Sequence, residues 1–243
     1  MKNLVRLPLE NAKNVRELGG YPIRDNQSTK WHCFLRSDDI SALSDYDVKY
    51  LKAYGLTSIL DLRSDKEIKE RPDTLMGDKD IVHKHVPFMI QGIGDVSEVD
   101  SVEVDFTMGS FYLGLLKHKE QVKTIMKTIA DMPDGVMLFH CAAGKDRTGV
   151  VAMLLLGLVG VDRQDIITNY EQTFTNLRYK KGSHLFDEIE KDQMHFMYSL
   201  PEYMEPSLDY IEKTYGNVEQ YLLSCNIEQQ VLQKIKDRFI DQG

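Results

Sequence analysis

The stretch of this 243-residue chain best suited to chemistry is Val136-Met137-Leu138-Phe139-His140-Cys141-Ala142-Ala143-Gly144-Lys145-Asp146-Arg147-Thr148-Gly149. It sets a cysteine at the end of an apolar run and an arginine six residues later, where a helix is expected to start. A loop of that length can curl with its backbone N–H groups inward, meeting the helix N-terminus. Such a concavity binds a tetrahedral dianion. Arg147 adds a planar two-donor contact to two phosphate oxygens. Positive surroundings of this kind favour the thiolate, the nucleophilic form of a cysteine. A thiolate beneath a phosphoryl group is set for in-line attack. The loop then supplies nucleophile, oxyanion donors and charge together, with Ala142, Ala143, Gly144, Lys145, Arg147 and Thr148 binding substrate. A cysteine at a strand end is more often an inert apolar residue. Three consecutive charged residues, Lys145-Asp146-Arg147, argue against that reading here, whereas Cys33 and Cys225 lack such neighbours and are read as inert.

The elements that must position this loop alternate along the first two thirds of the chain. Trp31 to Arg36 reads as a short strand and Thr57 to Leu62 as a buried one. Between them Ser44 to Tyr54 is helical, capped by Ser44 and closed by Gly55. A charged helix over about 64–70 stops at Pro72, and Ile81 to Val86 is a further strand. Residues 91–105 hold five acids with no Lys or Arg and read as a surface loop. Apolar spacing from about Phe106 to Ala130 predicts one long helix. Val136 to Phe139 predicts the strand before Cys141, and Arg147 to Leu158 the helix after it. The remainder reads as helical throughout, with breaks near Gly182, Pro201, Pro206 and Gly216. The expected fold is α/β, a central mostly parallel sheet flanked by helices with a helical C-terminal extension. It is read as one domain, with the catalytic sheet over about 11–165.

Composition agrees with a folded chain: 42% hydrophobic and 28% charged residues can build a core. The net charge of −8 argues against nucleic acid, which needs clustered Lys and Arg, but permits a locally positive site. The longest apolar run, Val150 to Val161, is twelve residues and too short to span a bilayer. Three cysteines suggest neither a disulfide framework nor a zinc site. The expectations are no cofactor, no metal, no stable membrane association, a monomer, and a cytoplasmic location unless a leader has been removed.

His140-Cys141-x5-Arg147-Thr148-Gly149 resembles the signature loop of the Cys-dependent protein tyrosine phosphatase superfamily. The fuller form is similar to a bacterial branch that includes secreted mycobacterial and listerial enzymes. Three further segments match that branch in order: Asn14-Val15-Arg16-Glu17-Leu18-Gly19-Gly20-Tyr21, Phe34-Leu35-Arg36-Ser37-Asp38, and Asp61-Leu62-Arg63-Ser64 with Glu67 following. The resemblance runs from about residue 11 to at least residue 170.

What it implies is hydrolysis of phosphotyrosine, with Ser/Thr activity open, through a phosphocysteine on Cys141. Arg147 would stabilise the equatorial oxygens, and the Thr148 hydroxyl would donate to the Cys141 sulfur. His140 would brace the loop. The first candidate for general acid is Asp146, by resemblance to lipid phosphatases. Asp61 is the second, oriented by Arg63, which could also bind substrate; their alternative is a structural ion pair. Lys145 matches the lysine that contacts an extra ring phosphate in phosphoinositide phosphatases, so phosphoinositides join phosphorylated proteins as expected substrates. The 163–200 stretch is either core or a cover over the site. Two other readings stay open: an arsenate- or sulfur-handling enzyme on the same loop, and an inactive phosphate-binding module.

Overall fold

The computed structural model describes residues 2–90, 107–178 and 197–241. Its main sheet has five strands in the order β1 (Arg16–Glu17), β3 (Phe34–Ser37), β6 (Val136–His140), β4 (Leu56–Asp61), β5 (Val82–His85). A separate antiparallel pair joins β2 (Ser28–Thr29) to β7 (Ile240–Asp241). Strands β3, β6, β4 and β5 run parallel, and only β1 is antiparallel to its neighbour. The mostly parallel α/β sheet expected from sequence is therefore the fold.

Every residue of β6 is buried, as a central parallel strand covered on both faces requires. Its side chains alternate between two cores: Val136 and Leu138 face one, Met137 and Phe139 the other. Helix α1 (Asp45–Ala53) lies on the first side and buries Leu51 there. Ser44 caps it in a capping box with Asp47. Helix α2 (Asp65–Glu70) begins with the same device, Ser64 and Glu67. The second core is larger and is centred on α5 (Asp146–Leu158), which is apolar on nearly all sides and almost wholly buried.

The long helix expected over 106–130 is two helices, α3 (Met108–Lys117) and α4 (Lys119–Asp131). His118 leaves the helical region (φ −79°, ψ 63°) between them. Apolar residues continue at helical spacing on both sides of that break, so periodicity alone cannot mark it. Strand β3 also starts three residues later than expected, at Phe34. In the C-terminal part, α6 (Arg163–Arg178), α7 (Pro201–Tyr215), α8 (Val218–Ser224) and α9 (Gln229–Phe239) follow. Pro201 opens α7, where a missing N–H costs nothing, but Pro206 lies inside that helix and does not end it. The ring of Pro206 packs against α3 where Gly109 leaves room. Gly216, at φ +87°, closes α7 as expected. The tail is not helical throughout: it ends in β7, which ties residues 240–241 to the N-terminal part. Such two-residue strands carry no periodicity to read. The expected acidic loop at 91–105, the break at Gly182 and the 179–196 part of the proposed cover lie outside the described residues. Among the described residues no helix is long and apolar enough to cross a membrane.

Candidate active site

The loop after β6 is held from behind, carbonyl by carbonyl. His140 Nδ1 lies 3.2 Å from the Cys141 oxygen, and the Asp39 amide donates to the Ala142 oxygen at 2.9 Å. Asn14 Nδ2 donates to the oxygens of both Ala143 and Gly144 at 3.1 Å, and Arg36 donates to Gly144 at 2.8 Å. In a planar trans peptide the N–H points opposite to the C=O. Carbonyls turned outward at 141–144 therefore turn the amides of 142–145 inward, around Cys141. Gly144 makes this curl possible: its φ is +64°, and a Cβ there would sit 2.2 Å from the Ser37 oxygen.

The braces are themselves fixed. Asp38 accepts from the amides of Lys13 and Asn14 (3.2 and 3.0 Å), which puts the Asn14 side chain under the loop. Arg16 and Arg36 are fully buried and reach α6, bonding Asn169 and, for Arg16, Thr173. The first part of the 163–200 stretch is thus core that braces the loop. Burial, aggravated for Arg16 by its neighbour Arg36, lowers both guanidinium values, that of Arg36 to about 10.

Cys141 lies at the floor of the cradle, 1% exposed. Arg147, in the first turn of α5, is held by both carboxylate oxygens of Glu67 (2.7 and 2.9 Å). The Thr148 hydroxyl is buried and makes no hydrogen bond among the described residues. The bond expected from it to the Cys141 sulfur is thus not formed. A fold places this hydroxyl only to within the freedom of one rotamer, which a motif cannot specify. Cys33 sits at the opposite end of the sheet: its carbonyl accepts from the Met137 amide, four residues before Cys141. At ~3.3 Å per residue the two cysteines are roughly 13 Å apart, beyond disulfide reach. Burial pushes the Cys33 thiol up to about 12. The arsenate-type reading loses its resolving cysteine.

Asp61 and Arg63 turn out to be an ion pair beneath the loop, both wholly buried. Arg63 donates from Nε and both terminal nitrogens to Asp61, Asp73, Asp39 and the Arg71 oxygen. Every nitrogen of the Arg63 guanidinium is engaged, and both side chains are buried, which is the ion-pair alternative of the sequence reading. Asp73 also accepts from His140 Nε2 (3.0 Å) and His83 Nε2 (2.8 Å). Burial works against its charge, but these imidazoles and Arg63 outweigh it and hold its carboxyl below the usual range. Burial likewise opposes a charged His140, yet Asp73, with Asp61 behind it, holds that imidazole above its ordinary value. Carbonyl on one nitrogen and carboxylate on the other both demand a proton, consistent with a charged ring. Asp61, Asp73 and His83 could in spacing hold a metal, but Arg63 already donates to both carboxylates where a cation would sit.

Asp146, the first residue of α5, is on the other side of the loop. Its Oδ1 accepts from the Tyr112 hydroxyl at 2.6 Å and lies 3.4 Å from Lys145 Nζ. Its Oδ2 has no hydrogen-bond partner among the described residues. Lys145 is 3% exposed and donates to the Tyr198 oxygen at 3.3 Å, so the chain near 198 does reach over the loop. Sequence reading had quoted Asn14, Arg36, Asp38 and Glu67 within matching segments and given them no role. Asp73, Tyr112 and Asn169 were missed, each standing alone in sequence.

A thiol at the C-terminal end of a central parallel strand, in a cradle of amides closed by a helix and an arginine, belongs to the Cys-dependent phosphatase class. Residues 7–241 match the sequence profile of the tyrosine phosphatase family, so the chain belongs to that family. It is a protein-tyrosine phosphatase. It is 31% identical to a tyrosine-protein phosphatase of Nostoc commune, over 86% of this chain and 75% of that protein. It is 26% identical to the triple specificity protein phosphatase PtpB of Mycobacterium tuberculosis, over 91% of this chain and 98% of that protein. Among solved structures it is similar to TpbA of P. aeruginosa in complex with phosphotyrosine, at 14% identity and a TM-score of 0.43, covering 83% of this chain and 90% of that one.

Proposed function

We propose that this phosphatase hydrolyses phosphotyrosine and phosphoinositide monoesters, and accepts phosphoserine and phosphothreonine, through a phosphocysteine on Cys141. The observation that carries this is the set of outward carbonyls at 141–144, which leaves four inward amides around one sulfur. In the first step the Cys141 sulfur bonds to phosphorus as the ester P–O bond breaks. The amides and Arg147 hold the three equatorial oxygens. Asp146 passes its proton to the leaving oxygen, then takes one from the water that displaces the cysteine. Asp146 is preferred to Asp61 because one of its oxygens is unengaged and it stands at the loop rim.

Lys145 is the proposed reader of a second phosphate. An anionic ring substituent would replace the Tyr198 carbonyl as partner of its ammonium. Hydrolysis of 4-nitrophenyl phosphate in EDTA, lost in Cys141→Ser, tests the core reading against an inactive module. Metal-dependent turnover, or turnover surviving that substitution, would overturn it. Lys145→Ala should lower phosphoinositide turnover more than phosphotyrosine turnover, and equal losses would remove the lipid reading. Soluble monomeric behaviour without lasting vesicle binding is proposed alongside.

A further inference from the structure

We propose that Tyr112, backed by Tyr170, is a positioning residue for the proton donor: it holds Asp146 by Oδ1 so that Oδ2 carries the proton. This rests on the reading of Asp146 given above. Tyr112 comes from α3 and Tyr170 from α6, while Asp146 opens α5. The Tyr112 hydroxyl has a single proton, and the 2.6 Å bond to Asp146 uses it. Its 2.6 Å contact with the Tyr170 hydroxyl is then accepted, not donated. The chain runs in one direction, from Tyr170 to Tyr112 to Asp146.

Neither phenol is free to turn away. Tyr112 is 0% and Tyr170 1% exposed, and their rings meet edge to face at 5.9 Å. Burial first, and the nearby Asp146 charge second, push both phenols well above the ordinary tyrosine value. They keep their protons wherever the enzyme works, so Tyr112 is a permanent donor. Lys145 stands against the same Oδ1. With both partners on one oxygen, the other is left to face the ester.

The proton inventory closes. When the S–P bond forms and the ester P–O bond breaks, the Oδ2 proton goes to the leaving oxygen. When water bonds to phosphorus and S–P breaks, a water proton returns to Oδ2. Tyr112 favours the ionised state between these steps and gives up no proton in either. The charged and titratable groups around it are Lys145 beside Asp146, Arg36 facing Tyr112, Tyr170, Cys141 and Tyr21, and Tyr203 of α7 beside Tyr170.

The test is kcat against pH for wild type, Tyr112→Phe, Tyr170→Phe and Asp146→Asn, each on 4-nitrophenyl and on phenyl phosphate. Tyr112→Phe should move the basic limb up by about one pH unit, because a hydrogen bond favouring the carboxylate is gone. It should also lower kcat about tenfold more on phenyl phosphate, the poorer leaving group, with KM within about twofold. Tyr170→Phe, one bond further away, should move the limb in the same direction by less. If Asp146→Asn removes the limb while Tyr112→Phe neither moves it nor discriminates the esters, this inference fails and Asp146 stands. If Asp146→Asn keeps the limb, the donor lies elsewhere and both fail. Should Tyr112→Phe not fold, Tyr170→Phe decides: an unmoved limb there overturns the chain.

Discussion

Two clusters flank the same loop, and each sets aspartate against a basic side chain. On one side stand Asp61, Arg63, Asp73 and His140; on the other Asp146, Lys145 and two tyrosines. In the first cluster all four side chains are 0% exposed, and each guanidinium nitrogen has a carboxylate or carbonyl partner. In the second, the Asp146 side chain keeps 14% of its surface and one oxygen without a partner among the described residues. A saturated buried pair can only hold its neighbours in place, because any proton transfer would leave a charge stranded. A half-satisfied acid at a rim can exchange a proton with something that arrives. The two aspartates thus differ in saturation and burial, which residue type alone does not show.

Asp146→Asn should break the reactive side most visibly. We expect kcat on phenyl phosphate to fall by about 10²–10⁴, with the urea midpoint nearly unmoved. A comparable activity loss in Asp61→Asn with full stability would erase the distinction. Arg63→Met should do the reverse, costing about 3–5 kcal/mol of stability because Asp61 and Asp73 lose their buried counter-charge. Urea unfolding measures this directly, and a change under ~1 kcal/mol would show that the cluster is not the scaffold described.

Titration sharpens the contrast next. The Asp73 carboxyl is held low, so its contribution is present above its unfolded value near 3.8 and is lost as pH falls toward its folded one. His140 is held high, so its contribution is full below 6.5 and fades as pH rises through its folded value. Stability from this side should therefore be greatest between about pH 4 and 6.5, and Asp73→Asn should flatten that dome. Glu17, raised by burial to about 7 from 4.5, tilts that dome downward as pH rises between those two values, since the folded state there keeps a proton the unfolded one releases. Urea midpoints across pH 4–8 for wild type and Asp73→Asn read the effect. The smallest change is expected from Glu67→Gln. It loosens the two-oxygen grip on Arg147 and should raise KM about tenfold with kcat less affected. An equal fall in kcat at constant KM would mean that Glu67 orients Arg147 for the transition state alone.

Much of this was legible beforehand, for identifiable reasons. Ser44 announced α1 because an N-cap is a local contact across three residues. The continuous apolar run of β6 announced a buried parallel strand. The cradle was legible because nucleophile, glycine and arginine lie within one loop. Where the reading failed, the missing information was distant in sequence. The turn at His118 divides two helices whose apolar stripes read as one, and β2 with β7 joins residues about two hundred positions apart. Asn14, Arg36 and Asn169 brace the loop from three different elements, and no spacing rule connects them.

The sequence by itself determined the reaction class, since the order Cys141 to Arg147 at a strand–helix junction imposes a phosphate cradle wherever it folds. It also determined that Asp61, Arg63 and Asp146 were charged groups near that cradle. The proposal that Asp146 works while Asp61 and Arg63 support rests on tertiary structure alone. Burial and hydrogen-bond saturation depend on neighbours brought from α3, α6 and the 73–85 segment, and a charge becomes scaffold or catalyst according to what surrounds it.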